Sequence, residues 1–206
     1  MDEAQATVHV VEDDDSVRTA VVRLLRTAGF KAQPYASAAE FLLVAGDNAG
    51  GCMVLDVGLP GMSGIELHAA LAKRRDCSVV FLTGRGDVQM SVRAMKDGAV
   101  DFLDKPVKRE LLLDAVARAV ERDVANRERR GHVAELRERY AQLTERERQV
   151  FRLVAEGRLN KQIADVVGAS LRTVKSHRAR VMEKMHATTA ADLVRAADEL
   201  SRLGLH

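Results

Sequence analysis

With 206 residues, 47% of them hydrophobic, the chain suffices for one or two soluble globular domains, and the lack of Trp with only 3% aromatics leaves the core to Val, Leu, Ile, Ala and Met. Cys52 and Cys77 lie beside or within apolar runs without metal-ligand spacing, which excludes a disulfide framework and reads as two reduced, buried thiols. No apolar run approaches a membrane span, and acidic Met1–Gln5 lack the apolar stretch of a signal peptide, so a cytoplasmic protein without a membrane partner is expected. The net charge of +2 is unevenly placed: 14 Lys and Arg face 18 Asp and Glu in residues 1–121 (−4), 6 face 4 in 122–140 (+2), and 12 face 8 in 141–206 (+4). An acidic front and a basic back fit nucleic acid as a partner for the back, and fit equally two soluble domains of different charge.

In chain order, residues 1–121 alternate strand and helix. Val8–Val11 is a short apolar run followed by Glu12-Asp13-Asp14-Asp15. Val17, Val21, Leu24, Leu25 and Ala28 then recur at helical spacing up to Gly29. Lys31–Tyr35 reads as a strand in which Pro34 needs a position without a ladder donor. Ser37 and Glu40 form a capping-box pattern before a helix with Phe41, Leu42 and Val44. Cys52–Asp56 is a third strand, and a helix over Gly64–Lys73 follows. Ser78–Leu82 is a fourth strand ending at Thr83, and Asp87 caps a helix with Val88, Val92 and Met95, closed by Gly98. Ala99–Leu103 is a fifth strand leading to Asp104-Lys105-Pro106, before a helix from about Lys108 through Leu112, Val116 and Val120. Five such units with near-continuous apolar strands predict a doubly wound, five-stranded parallel α/β sheet covered on both faces.

The strand tips carry the chemistry. Asp56 ends an apolar run just before the turn Gly58-Leu59-Pro60-Gly61, where a ligand crevice opens in such sheets. Alone it is equally a solvated loop carboxylate. Glu12 and Asp13 end the first strand, Thr83 the fourth, and Lys105 lies beyond the fifth. Three carboxylates brought together repel, and a hard divalent cation resolves the repulsion. With an ammonium and a hydroxyl beside it, a lone carboxylate is suited to take a phosphoryl group as nucleophile.

Glu12-Asp13-Asp14, Leu55-Asp56 with Leu59–Gly64, Thr83-Gly84 and Lys105-Pro106, in this order, resemble a response-regulator receiver domain of flavodoxin-like fold over residues 8–121. The resemblance implies that Asp56 accepts phosphate from a histidine kinase. It implies that Glu12 and Asp13 hold Mg²⁺ (or Mn²⁺) with Asp56 and the backbone carbonyl of Gly58, Asp13 being the direct ligand of the acidic pair. Thr83 and Lys105 would contact phosphate, Phe102 would be the aromatic switch, and Lys105-Pro106 would be cis. Glu12 departs from the commoner Asp, and Val107 stands where an aromatic is often found. Asp14 and Asp15 read as a negatively charged first helical turn.

Residues 122–142 are rich in Arg and Glu and read as a helical linker after a receiver domain of residues 1–121. Val133, Leu136, Tyr140 and Leu143 form a stripe of about two heptads, suited to a helix-mediated dimer contact or to a helix lying on its own chain. Residues 143–206 read as four short helices. Thr144 and Glu147 form a capping box, and helices with Val150–Val154 and Ile163–Val167 end at Gly157 and Gly168. A third begins at Ser170 or Leu171 with buried Val174, Val181 and Met185, and a fourth at Thr188-Thr189 carries Leu193, Val194, Ala197 and Leu200. A Lys/Arg-rich third helix is in general a solvated face; behind a short turn it is also the reading helix of a helix-turn-helix.

Asn160–Ala164 and Thr173–Arg178, with Leu143-Thr144-Glu147 and Leu193-Val194, resemble the four-helix DNA-binding domain of LuxR, NarL and FixJ type. By that resemblance Lys175 and Ser176 approach bases in double-stranded DNA, and Thr173, His177 and Arg178 sit near its backbone. Ala179 falls where some relatives have a longer base-reading side chain, and the helix from Thr189 matches a dimerisation surface. The expected protein is a two-component transcriptional regulator, a homodimer when phosphorylated, with the face near residues 87–115 pairing or releasing the DNA-binding domain. It is no enzyme beyond its own phosphoryl transfer and slow aspartyl-phosphate hydrolysis. An Asp-nucleophile phosphatase would carry a second acid where this chain has Gly58. A receiver that only dimerises would have no use for the intact acidic site.

Overall fold

The computed structural model describes residues 6–45, 51–72, 78–84 and 88–204. The chain divides into two compact units, Met1–Glu128 and Arg129–His206. In the first unit, strands β1 (Thr7–Val11), β2 (Lys31–Tyr35), β3 (Cys52–Asp56), β4 (Ser78–Thr83) and β5 (Asp101–Asp104) make one sheet in the order β2-β1-β3-β4-β5. Every pairing is parallel. The strand order reverses between β1 and β3, which opens a crevice at their C-terminal ends. Pro34 lies on edge strand β2, where its missing N–H costs no ladder bond.

Alternate strand residues face opposite sides, as the pleat requires. Cys52, Val54, Val80 and Leu82 join a core with α1 (Asp15–Thr27) and the first turns of α5 (Arg109–Ala141). Met53, Leu55, Val79 and Phe81 join another with α2 (Ala38–Ala45), α3 (Gly64–Ala72) and α4 (Val88–Lys96). Gly64 is required by close approach: a Cβ there would lie 2.1 Å from the Asp56 carbonyl oxygen.

Several expectations shift. On α2 Ala38 and Phe41 are buried and Ala45 packs partly buried against the same core, while Leu42, Leu43 and Val44 stay exposed. On α4, among the residues whose side chains are described, Ala94 is the buried one and Val92 and Met95 are exposed; Val88 lies outside them. The fifth strand starts at Asp101 rather than Ala99, because the Ala99 amide closes α4 by donating to the Ala94 carbonyl (3.0 Å) after Gly98 at φ +94°. Asp14 is the N-cap of α1, not just a charge near it: its carboxylate accepts from the Ser16 and Val17 amides. Ser37 Oγ accepts from the Glu40 amide, but the Glu40 carboxylate takes the Ala36 amide instead of that of Ser37. Lys73, Cys77 and Asp87 lie outside the described residues.

The second unit holds the end of α5 with α6 (Glu145–Ala155), α7 (Asn160–Val167), α8 (Leu171–Lys184) and α9 (Ala190–Arg202). Leu136, Tyr140 and Leu143 share its core with Val150, Phe151 and Ile163. Leu136, Tyr140 and Leu143 of the stripe are therefore covered by their own chain, while Val133 stays half-buried; Leu136, 4% exposed, has no surface left for a helix-mediated dimer contact. Thr144 and Glu147 form the full capping box of α6. Ser170 caps α8, Thr189 caps α9, and Gly168 ends α7 in the left-handed region at φ +62°.

Candidate functional site

Four neighbouring strands each carry one group of the site at or just beyond the C-terminal end. Glu12 follows β1, Asp56 ends β3, Thr83 ends β4 and Lys105 follows β5. The Glu12 amide donates to the Tyr35 carbonyl (3.1 Å) and the Lys105 amide to the Thr83 carbonyl (2.7 Å), so backbone bonds fix both loops. The Lys105-Pro106 peptide is cis. Glu12, Asp56 and Thr83 are buried, Asp13 is exposed, and Lys105 is half-buried.

The Lys105 ammonium joins the carboxylates. Its Nζ lies 2.8 Å from Glu12 Oε1, 2.7 Å from Glu12 Oε2 and 3.0 Å from Asp56 Oδ1. Glu12 Oε2 is buried, and among the described residues the Lys105 ammonium is its ionic partner. Glu12, Asp13 and Asp56 each offer an oxygen within 4.8 Å of the others. Burial pushes the Glu12 carboxyl up, the Lys105 hydrogen bond pulls it back, and the Asp56 charge adds to the rise, which prevails. For Lys105, burial favours loss of the proton, but the bonds and charges of Glu12 and Asp56 outweigh it and raise its pKa. Such an excess of buried oxygen donors is the chemistry a hard divalent cation takes.

Gly58 lies beside this cluster: a Cβ there would be 3.5 Å from Asp56 Oδ2, so no side chain stands between that oxygen and the loop. Phe102 is half-buried, tilted on Phe81 with ring centroids 5.9 Å apart. Phe81 in turn meets buried His68 edge-on at 5.5 Å.

Sequence reasoning missed Arg18. Its Nη1 donates to the carbonyls of Glu12 (2.7 Å) and Asp13 (3.1 Å), so it clamps the loop that carries both acids. Its partners are backbone atoms, which no residue pattern reveals. The Ser63–Glu66 box at the start of α3 was also missed, although its spacing is a cap signature.

In the second unit, Lys175 and Ser176 of α8 are exposed beside Arg172 and Arg180. Thr173 is partly committed to the cap, its hydroxyl 2.8 Å from Ser170 Oγ. Arg178 donates to Asn160 Oδ1 (2.9 Å), tying α8 to the start of α7. His177 is half-buried, and its Nδ1 has no hydrogen-bond partner among the described residues. Exposed cations on the helix after a left-handed glycine turn present a surface for phosphates and base edges.

Comparison with known proteins agrees with both halves. The family model of the response regulator receiver domain matches residues 8–117, and that of bacterial regulatory proteins of the luxR family matches residues 141–197. Nodulation protein W of Bradyrhizobium diazoefficiens is 45% identical over 197 residues, 95% of this chain and 87% of that protein. The transcriptional regulatory protein FixJ of Rhizobium meliloti is 42% identical, over 93% of this chain and 94% of its own. Among solved structures, the response regulator StyR superposes with a TM-score of 0.85 at 41% identity, covering 95% of this chain and 99% of that one.

Proposed function

This chain belongs to the response regulators that join a receiver domain to a LuxR-type DNA-binding domain, two-component regulators of transcription, and from that premise we propose that Asp56 is its phosphoryl acceptor. The observation that carries the reading is the Lys105 ammonium bridging Asp56 and Glu12 at 3.0 and 2.7 Å. An Asp56 carboxylate oxygen attacks the phosphorus of a phosphohistidine in the partner kinase. The new O–P bond forms as the N–P bond breaks, and the freed imidazole takes a proton. Lys105 pairs with the arriving phosphoryl oxygens. The Thr83 hydroxyl donates to one of them, and Phe102 follows as Thr83 shifts.

The donor set fits Mg²⁺ or Mn²⁺: Asp13, Asp56 and the Gly58 carbonyl would hold it, with Glu12 alongside. When bound, such an ion neutralises charge on the transferring oxygens. The chain's own chemistry ends at this transfer and slow hydrolysis of the acyl phosphate. Phosphorylation then favours a homodimer through α4 and α5, where Val92, Met95 and Leu111 are about half exposed. Two second units meet DNA half-sites roughly one helical turn apart. There Lys175 and Ser176 reach bases, and Thr173, His177 and Arg178 meet the backbone. Among the described residues no helix is long and apolar enough to cross a membrane, in keeping with a cytoplasmic regulator.

Incubation with acetyl phosphate and Mg²⁺, followed by mass spectrometry, tests the acceptor. The wild-type chain should gain one phosphoryl group and Asp56→Asn none. Phosphate on the variant would place the acceptor elsewhere.

A further inference from the structure

We propose that the groove between the C-terminal part of α5 and α9, within the second unit, binds a phosphorylated anion of nucleotide size. The open groove spans about 770 Å³, within the range of small-molecule sites. Its apolar lining is Val133, Ala134 and Leu203. The rest of the lining is charged: five arginines face two carboxylates, a net charge of +3 with histidine neutral.

The pairing within the groove leaves charge over. Glu199 is engaged by His132 Nε2 at 3.0 Å. Arg195 is engaged by Asp192 at 2.5 Å. Arg130, Arg137 and Arg202 make no hydrogen bond or ion pair with any described residue. Asp198 is likewise unpaired with any described residue, so three guanidiniums and one carboxylate remain, a surplus of two positive charges that an anion between the arginines would neutralise. The planar fork of Arg matches phosphate bidentately and also stacks on aromatic rings. Aliphatic side chains beside such forks suit a base attached to a phosphate chain better than a bare ion. Duplex DNA is the weaker fit, since its phosphates lie on a convex surface and these arginines line a concavity.

The inference does not depend on Asp56. Its test is calorimetric titration of the full chain with ATP in EDTA, so that no divalent ion loads the receiver crevice. The wild-type chain and Asp56→Asn should bind one ATP with equal affinity. Arg137→Ala with Arg202→Ala should weaken binding by about tenfold or more, through loss of charge-assisted pairs. Arg137→Lys with Arg202→Lys keeps the charge, loses the fork and should fall between; it carries the test if the alanine form melts early. Pyrophosphate should compete but bind more weakly, because it leaves the aliphatic lining uncovered. Absence of saturable binding, or affinity unchanged in both double variants, overturns the proposal. So does displacement of ATP by duplex DNA together with an equal loss of DNA affinity in the double variants, which would make the groove part of the DNA surface.

Discussion

Each unit buries one glutamate on one lysine, and the two pairs behave in opposite ways. Glu147 meets Lys184 at 2.7 Å, and Glu12 meets Lys105 at 2.7 Å. Both carboxylates are almost fully buried. Burial pushes each pKa up, yet that of Glu147 ends below its ordinary value and that of Glu12 above. The difference lies in the other neighbours. Glu147 also accepts the Thr144 amide (2.9 Å), and no second acid presses on it. Glu12 shares its lysine with Asp56, whose charge presses on it. A pair with no competing acid fastens a fold; one crowded by like charge is what a functional site looks like.

The largest expected effect tests the fastening role. Glu147→Ala removes the capping box and leaves Lys184 short of its partner. It should destabilise the second unit by about 2–3 kcal/mol, below the full cost of breaking a buried pair because Lys184 is partly solvated. Glu12→Gln, by contrast, should shift metal-free unfolding by less than about 1 kcal/mol, since it relieves repulsion by Asp56 while loosening Lys105. Urea unfolding of both variants measures the contrast, and equal losses would erase it.

Next comes the clamp on the acidic loop. Arg18→Ala should lower Mg²⁺ affinity by about tenfold, as loss of an outer-shell partner does. Calorimetry with Mg²⁺ reads this directly, and unchanged affinity would show that the loop holds its shape without Arg18.

The pH responses should also diverge. Glu147, with its folded pKa depressed, contributes fully above the ordinary glutamate value of about 4.3 and loses that contribution as pH falls through the folded value. Glu12, with its folded pKa raised, has the opposite sign. In the metal-free chain its contribution is complete below about pH 4.3 and is lost as pH rises through the folded value. Unfolding midpoints followed into acid should show a limb that Glu147→Gln flattens and Glu12→Gln does not. The smallest effect is expected at the DNA surface, where Arg178→Ala should lower the slope of log affinity against log salt by about one if Arg178 leaves Asn160 for a phosphate. An unchanged slope would keep it as a tie between α7 and α8.

The sheet and its tips were legible in the sequence because their signals are contiguous. Apolar strands end abruptly on Glu12, Asp56, Thr83 and, after β5, Lys105, and parallel topology does the rest. Arg18 was not legible, since it binds carbonyls rather than side chains. The faces of α2 and α4 were misjudged because eight or nine residues hold too few turns for the inward stripe to stand out from other apolar residues. α5 runs on through Gly131, where one exposed glycine costs only about 1 kcal/mol. Whether Leu136, Tyr140 and Leu143 face their own chain or another cannot be read from their period, and packing against α6 decided it.

The account's central claim is that a phosphoryl group on Asp56 sets how the second unit binds DNA. The direct measurement is binding to a duplex with paired half-sites across a salt series, with and without acetyl phosphate and Mg²⁺. The wild-type chain should bind more tightly and with a steeper salt slope when phosphorylated, while Asp56→Asn keeps the shallow slope throughout. Equal response from both proteins, or none from the wild type under full phosphorylation, would contradict it.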